Sequence, residues 1–358
     1  MLFPMAEPNY TEQKCPQCGA PLQFDPASGN LLCEYCGYTQ HIQPSASEAT
    51  QEAPAFSSAA FEGKPGEYPI YNCRSCGAEI IAPRETAALT CPYCRNNIVL
   101  TDKVSGGLKP DGILPFKISH DQLAGVIHNF TKGKPFLPPR FFEAAEKGEI
   151  TGIYVPFWVY DGEIGGEVSF NGHITHVHRQ GDYRVEETAY YVLERSGDMV
   201  FSNIPADASE KMRDDYMDSL EPFPMQDIKP FDMKYLSGFT ADRFDVTADE
   251  ARTRAQRRML NSALGIMESQ LTGGYSGVTV HHNGLRLRAE NIHYYLLPVY
   301  YYSVTWKGTE YTYAINGATG KMVGKLPTDK SLKQAYWWKN FGIAAAAALV
   351  VQLIAQLF

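Results

Sequence analysis

The 358 residues contain no Gly-x-x-x-x-Gly-Lys-Ser/Thr phosphate loop, no Gly-x-Ser-x-Gly elbow and no His-Glu-x-x-His pair. The first absence removes the phosphate cradle of a P-loop NTPase. The other two remove common hydrolase arrangements. Charge is also scarce. Only 20% of residues are charged, and 40 acidic against 32 basic side chains give a formal net charge of −8. The acidity is local: residues 182–250 hold 17 Asp and Glu against 7 Lys and Arg. A surface of this balance repels phosphate backbones, so nucleic acid is not the expected partner. Met1-Leu2-Phe3-Pro4-Met5 lacks the basic and long apolar regions of a secretory signal. A hydrophobic content of 44% is enough for a core, and the length allows more than one domain.

Cysteine is sparse, at eight, and none is left over for a disulfide. Cys15-x-x-Cys18 is followed by Cys33-x-x-Cys36, and Cys73-x-x-Cys76 by Cys91-x-x-Cys94. In each set 14 residues separate the pairs, and the offset between sets is 58 throughout. A Cys-x-x-Cys turn presents two thiolates, and a hairpin that joins two such turns completes the four soft ligands that zinc favours. Iron is the competitor on chemistry alone. Two zinc ribbons are expected, at residues 10–42 and 68–101, with a flexible Ala/Ser/Pro/Glu-rich linker at 43–67. Four thiolates leave no open position, so the two Zn2+ ions would be structural. Thiolates reserved for metal also point to a reducing compartment. Zinc ribbons often touch nucleic acid, but residues 1–40 carry one Lys against four acids. No basic stripe interleaved with aromatics is present.

Residues 110–326 read as a mixed antiparallel α+β domain. Ser119 starts a helix through Lys132, and Thr247-Ala248-Asp249-Glu250 is a capping box that opens another. A meander is expected over 163–204 with turns at Gly181 and Gly197, and further strands over 278–323. Phe116-Lys117-Ile118-Ser119-His120-Asp121 resembles Phe244-Asp245-Val246-Thr247-Ala248-Asp249, which suggests a pseudo-repeat as well as chance. His176 and His178 share a strand face but have no third ligand nearby. Asp214, Asp215 and Asp218 fit a solvated helix start better than a cation site. Arg252, Arg254, Arg257 and Arg258 are expected to pair with the acidic stretch, with anionic lipid as the sharper reading.

The final segment, residues 341–358, has no charged side chain. It reads as a transmembrane helix, preceded at 327–340 by a basic and aromatic juxtamembrane segment with Tyr336, Trp337 and Trp338. The alternative is a buried Ala-rich core helix. By the positive-inside rule the bulk of a single-pass cell-membrane protein would then be cytoplasmic. Gln352 and Gln356, four apart, suggest a homo-oligomer through that helix.

Ala206-Asp207-Ala208-Ser209-Glu210-Lys211-Met212, Asp214-Asp215-Tyr216-Met217-Asp218-Ser219, Leu296-Leu297-Pro298-Val299 and Tyr313-Ala314-Ile315-Asn316-Gly317 resemble bacterial membrane proteins described as TFIIB-type zinc ribbon-containing. Some relatives carry the label primosomal protein N′ or replication restart helicase. The resemblance implies no enzymatic activity. It also implies protein partners, since some members accompany SPFH/flotillin-like and phage-shock proteins at the envelope. The expectation is therefore a membrane-anchored, non-enzymatic zinc-ribbon scaffold that recruits envelope-stress proteins. The alternative is a DNA-associated replication or transcription accessory. A helicase would need the missing phosphate loop.

Overall fold

A computed structural model describes residues 14–42, 65–82, 89–94, 96–98, 103–141, 148–271 and 273–357. It is a mixed α+β protein. Near the N-terminus, β1 (Gln23–Asp25), β2 (Asn30–Leu32) and β3 (Thr39–Gln40) form a three-stranded antiparallel sheet. A 12-stranded sheet follows. It begins with β4 (Pro65–Asn72) and β5 (Glu79–Ile81), while β6 (Leu89–Thr90) and β7 (Asn97–Ile98) pair only with each other. Next come β8 (Lys103–Leu108), β9 (Gly112–Ile113), helix α1 (His120–Thr131), β10 (Glu149–Gln180), β11 (Tyr183–Asp207) and helix α2 (Asp214–Leu220). After β12 (Lys229–Pro230) and β13 (Thr240–Asp242) runs the long helix α3 (Ala248–Ser269). The chain continues through β14 (Gly277–Asn283), β15 (Arg286–Trp306), β16 (Thr309–Asn316) and β17 (Met322–Gly324), and closes with α4 (Lys330–Leu357).

The centre is the antiparallel pair β10 and β15, with Tyr154 opposite Pro298 and Val155 opposite Leu297. Residues 153–160 are all buried, which explains their unbroken apolar character: this stretch is covered on both faces. Alternation still sorts the side chains. Tyr154, Trp158 and Tyr160 join the larger core, to which α3 contributes Ala255, Met259, Ala263 and Met267 at four-residue spacing. Ile153, Val155, Phe157 and Val159 point the other way, into a core closed by Met217 and Leu220 of α2. The Trp158 indole donates to Val246 O at 2.8 Å, and the Tyr160 hydroxyl to Ala248 O at 2.5 Å. The strand is thereby tied to the start of α3. The short strand β9 lies parallel on β15 at Tyr295 and Leu296, as β13 lies parallel on β10 at Ile153 and Tyr154.

Both helix starts read from the sequence are present. Ser119 caps α1 with Gln122, and Thr247 caps α3, its backbone N–H donating to Glu250 Oε2 at 2.7 Å. This gives a first expected result: Thr247→Ala lowers unfolding free energy by about 1 kcal/mol, measured in urea, because an N–H of the first turn loses its acceptor.

Gly197 is not a turn. Strand β11 runs unbroken from Tyr183 to Asp207, and Gly197 lies opposite Gly166 within the ladder. The glycine signal here marks a place in the sheet where both strands lack side chains, which single-strand reading cannot distinguish from a turn. The expected linker spans 43–67. Residues 43–64 lie outside the described ones, while Pro65 and Gly66 already pair with Leu108 and Gly107 of β8.

Among the described residues no helix is long and apolar enough to cross a membrane. Helix α4 starts at Lys330, so it carries Lys333 and Lys339 in its first half. The transmembrane helix over 341–358 and the single-pass location at a cell membrane fall with this finding. A buried core helix is not found either: Trp337, Trp338, Phe341 and Ile343 are exposed. The start of α4 rests on the body of the protein, where Asp329 N–H donates to Phe136 O at 2.8 Å and Tyr336 meets Phe136 edge-on.

Candidate metal centres

Each cysteine pair sits on a tight knuckle built from backbone hydrogen bonds. In the first set Gly19 N–H donates to Cys15 O at 2.8 Å, and Gly37 N–H to Cys33 O at 2.9 Å. In the second, Gly77 N–H donates to Cys73 O at 2.7 Å. These three glycines have φ of +74°, +72° and +76°, a region costly for any residue with a Cβ. The backbone thus turns both sulfur atoms of a pair toward one point.

The two pairs of a set meet there. Cys15 Sγ lies 3.4 Å from Cys36 Sγ, and Cys18 Sγ 3.5 Å from Cys33 Sγ. Cys73 Sγ lies 3.5 Å from Cys94 Sγ, and Cys76 Sγ 3.5 Å from Cys91 Sγ. Within each set all four sulfur atoms fall within 4.8 Å of one another. A tetrahedron with Zn–S bonds of about 2.3 Å has edges near 3.8 Å, so the donor sets fit a zinc-sized ion. In each set the first cysteine of both pairs is buried. The second is exposed, except Cys94, which is intermediate.

The thiols are crowded enough to influence one another. Burial opposes ionisation of Cys33, but N–H groups of Cys36 and Tyr35 and neighbouring thiols hold it down at about 7. Cys36 goes the other way: the Tyr38 N–H lowers it, but hydrogen bonds with Cys15, Cys18 and Cys33 push it up to about 12. In the second set burial likewise opposes ionisation of Cys94, yet Asn96 N–H and the other thiols bring it to about 6. Burial pushes Cys91 and Cys76 up. In each set one thiol ionises readily while Cys18 and Cys36 in the first and Cys76 and Cys91 in the second resist, as expected when anions share a space without a cation. A divalent ion supplies that missing charge.

The second set is joined to the central sheet. Ile80 and Ile81 of β5 pair with Asp242 and Ala241 of β13, and β13 continues onto β10. Tyr93, between Cys91 and Cys94, donates its hydroxyl to Asp242 Oδ2 at 2.5 Å. Ser209 Oγ donates to the same oxygen at 2.6 Å, and Lys211 Nζ lies 3.5 Å from Oδ1. Asp242 is fully buried. Burial pushes its carboxyl up, against Lys211, Ser209 and Tyr93, which favour the charged form. Two hydroxyls thus converge on Oδ2, while Oδ1 has the Lys211 ammonium as its nearest charge and no hydrogen-bond partner. The equivalent tyrosine of the first set, Tyr35, is exposed. The first set docks differently: Phe24 N–H donates to Ser237 O at 2.9 Å, and its ring meets Tyr235 edge-on.

The Tyr93–Asp242–Ser209–Lys211 cluster escaped sequence reading, because no spacing rule links residues 149 positions apart. Ala206-Asp207-Ala208-Ser209-Glu210-Lys211-Met212, singled out for resemblance, supplied two of its members. The other candidates do not assemble. Among the described residues only the two cysteine sets bring together three or more metal-ligating side chains, so His173, His176 and His178 form no site. Asp214 pairs with Arg254, Asp215 with Arg213 and Asp218 with Arg258 at the start of α2. The α3 arginines do face the acidic stretch, Arg254 on Asp207 and Arg258 on Glu221.

No protein-family model and no solved structure matches the chain, so the TFIIB-type and primosomal labels rest on resemblance alone. The chain is 35% identical over 344 residues to the uncharacterized protein YdjG of Bacillus subtilis (strain 168), covering 95% of this chain and 96% of that one. At that identity over nearly the whole of both sequences, the chain belongs to the family of YdjG.

Proposed function

We propose that the protein is a non-enzymatic scaffold whose two four-cysteine sets hold structural zinc ions and whose sheet presents protein-binding surfaces. The observation that carries the reading is the closure of both sets. Four sulfur donors fill the coordination of a zinc ion, leaving no place for substrate or activated water. Cys15, Cys18, Cys33 and Cys36 would hold one ion, and Cys73, Cys76, Cys91 and Cys94 the other. Bound there, zinc crosslinks segments too small to build a core of their own. The partner class follows from charge, since the acidic stretch disfavours phosphate backbones. The resemblance makes SPFH/flotillin-like and phage-shock proteins the first partners to try.

The test pairs two assays on purified, metal-loaded protein. Sedimentation with candidate partners should show a complex. Mobility shift with duplex and single-stranded DNA should show none at physiological salt. DNA binding at that salt, without binding to any candidate protein, would favour the DNA-associated accessory instead.

A further inference from the structure

Strand β11 is long, exposed and paired on one side only. Among the described residues its only strand partner over 25 residues is β10. Tyr190, Val192 and Val200 are 80%, 69% and 62% exposed, and Val177, opposite Glu186, extends the same face. Unpaired sheet edges invite pairing with another strand, and proteins commonly blunt them with lysine, proline or bulges. Between Tyr183 and Ile204 there is neither lysine nor proline. The one register shift against β10 lies between Tyr160 and Gly162, at the base of the hairpin.

The charges along this edge are self-complementary in one register. We propose that the protein dimerises by antiparallel pairing of β11 with β11 of a second copy, about a two-fold axis at Tyr191. An axis normal to the sheet keeps the faces aligned only when it passes through a residue position, because side chains alternate. With the axis at Tyr191, Arg184 faces the partner's Asp198 and Glu187 faces the partner's Arg195, each twice by symmetry. Tyr190 meets the partner's Val192, so the apolar strip continues across the join. Moving the axis to Tyr190 sets Glu186 against the partner's Glu194, and moving it to Val192 sets Glu186 against the partner's Asp198. Like charges directly opposite destabilise a ladder. Arg184 and Asp198 are exposed and rest on Glu186 at 2.8 Å and Arg288 at 2.7 Å, so pairing recruits these surface charges without uncovering a buried one. The join spans Tyr183 to Met199, roughly 55 Å of edge at 3.3 Å per residue.

Sedimentation velocity of the full metal-loaded chain over a concentration series tests this. Self-association to a dimer is expected. Glu187→Arg and Arg195→Glu should each raise its dissociation constant about tenfold or more, since each places two like-charge pairs in the ladder. The double variant Glu187→Arg/Arg195→Glu should restore it. Both residues are exposed, and circular dichroism checks that the variants fold. Tyr191→Cys should crosslink under mild diamide, because self-opposed Cα atoms in a ladder lie within disulfide reach, and Ser196→Cys should not. A chain that stays monomeric at its solubility limit overturns the proposal. So does a dimer indifferent to the charge variants, or a monomer whose β11 accepts only another protein's strand.

Discussion

Stripping metal from the second cysteine set is expected to unfold more of the protein than stripping the first. Structural zinc in small modules contributes about 10–16 kcal/mol of apparent binding free energy at neutral pH, all of it absent from the unfolded state. Cys73, Cys91 and the side chains of Tyr71, Ala78, Ile80 and Ala82 form a small cluster of their own. Without a crosslinking ion that cluster has too little apolar area to persist. Its loss removes β5 from β13 and withdraws Tyr93 from Asp242, which damages the central sheet. Purified protein should hold two zinc ions per chain by elemental analysis. Cys91→Ser should leave one, lower the main unfolding midpoint and make the sheet protease-sensitive. Cys33→Ser should also leave one, with local damage around β1 to β3. The pH dependence has a fixed sign. Ligands must be thiolates, so protons compete with zinc, and the zinc-dependent stability falls as pH is lowered. Equal unfolding by the two substitutions, or under one zinc per chain in protein never exposed to chelator, would refute this account.

Asp242→Ala should be the most damaging single substitution away from the cysteines. The carboxyl is fully buried, accepts from Tyr93 and Ser209, and lies 3.5 Å from Lys211. Removing one partner of a buried charged network costs about 3–5 kcal/mol, because the groups left behind have lost water and gained nothing. Lys211 keeps Asp245 at 2.5 Å, which limits the penalty on its side. Tyr93 and Ser209 both spend their hydroxyl protons on Asp242 itself. Asp242→Asn, which retains an acceptor oxygen, should cost less, and Tyr93→Phe about 1–3 kcal/mol. Urea unfolding gives the energies. Release of the second zinc, followed with a chromophoric chelator, should be faster in Asp242→Ala than in the parent. Unchanged zinc release would show that Asp242 does not support the metal set.

The two interactions connect in one chain of contacts, from Cys91 and Cys94 through Tyr93 to β13 and from there to Ile153 and Tyr154 of β10. Metal occupancy of the second set is therefore expected to influence the strand that also carries the long hairpin. In the first set the matching tyrosine, Tyr35, points to solvent and makes no such link.

The eight cysteines, their grouping in fours and the two capped helices were determined by the sequence alone. Their physics is local: a Cys-x-x-Cys knuckle closes through hydrogen bonds four or five residues apart, and a capping box through three. The run Val155-Pro156-Phe157-Trp158-Val159-Tyr160 also carries its burial in its composition, because an unbroken apolar run has to be covered on both faces. Tertiary structure decided the rest. Gly197 looks like a turn until Gly166 is seen across from it. The tail looks like a span, yet its helix begins at Lys330 with Lys333 and Lys339 inside it, and among the described residues no helix is long and apolar enough to cross a membrane. Tyr35 and Tyr93 occupy matching places in a repeat, yet only Tyr93 finds a buried carboxylate, 149 residues away. Spacing fixes what neighbours in the chain can do together. Which distant group meets them depends on how strands pair, and that is set by the packing of the whole core.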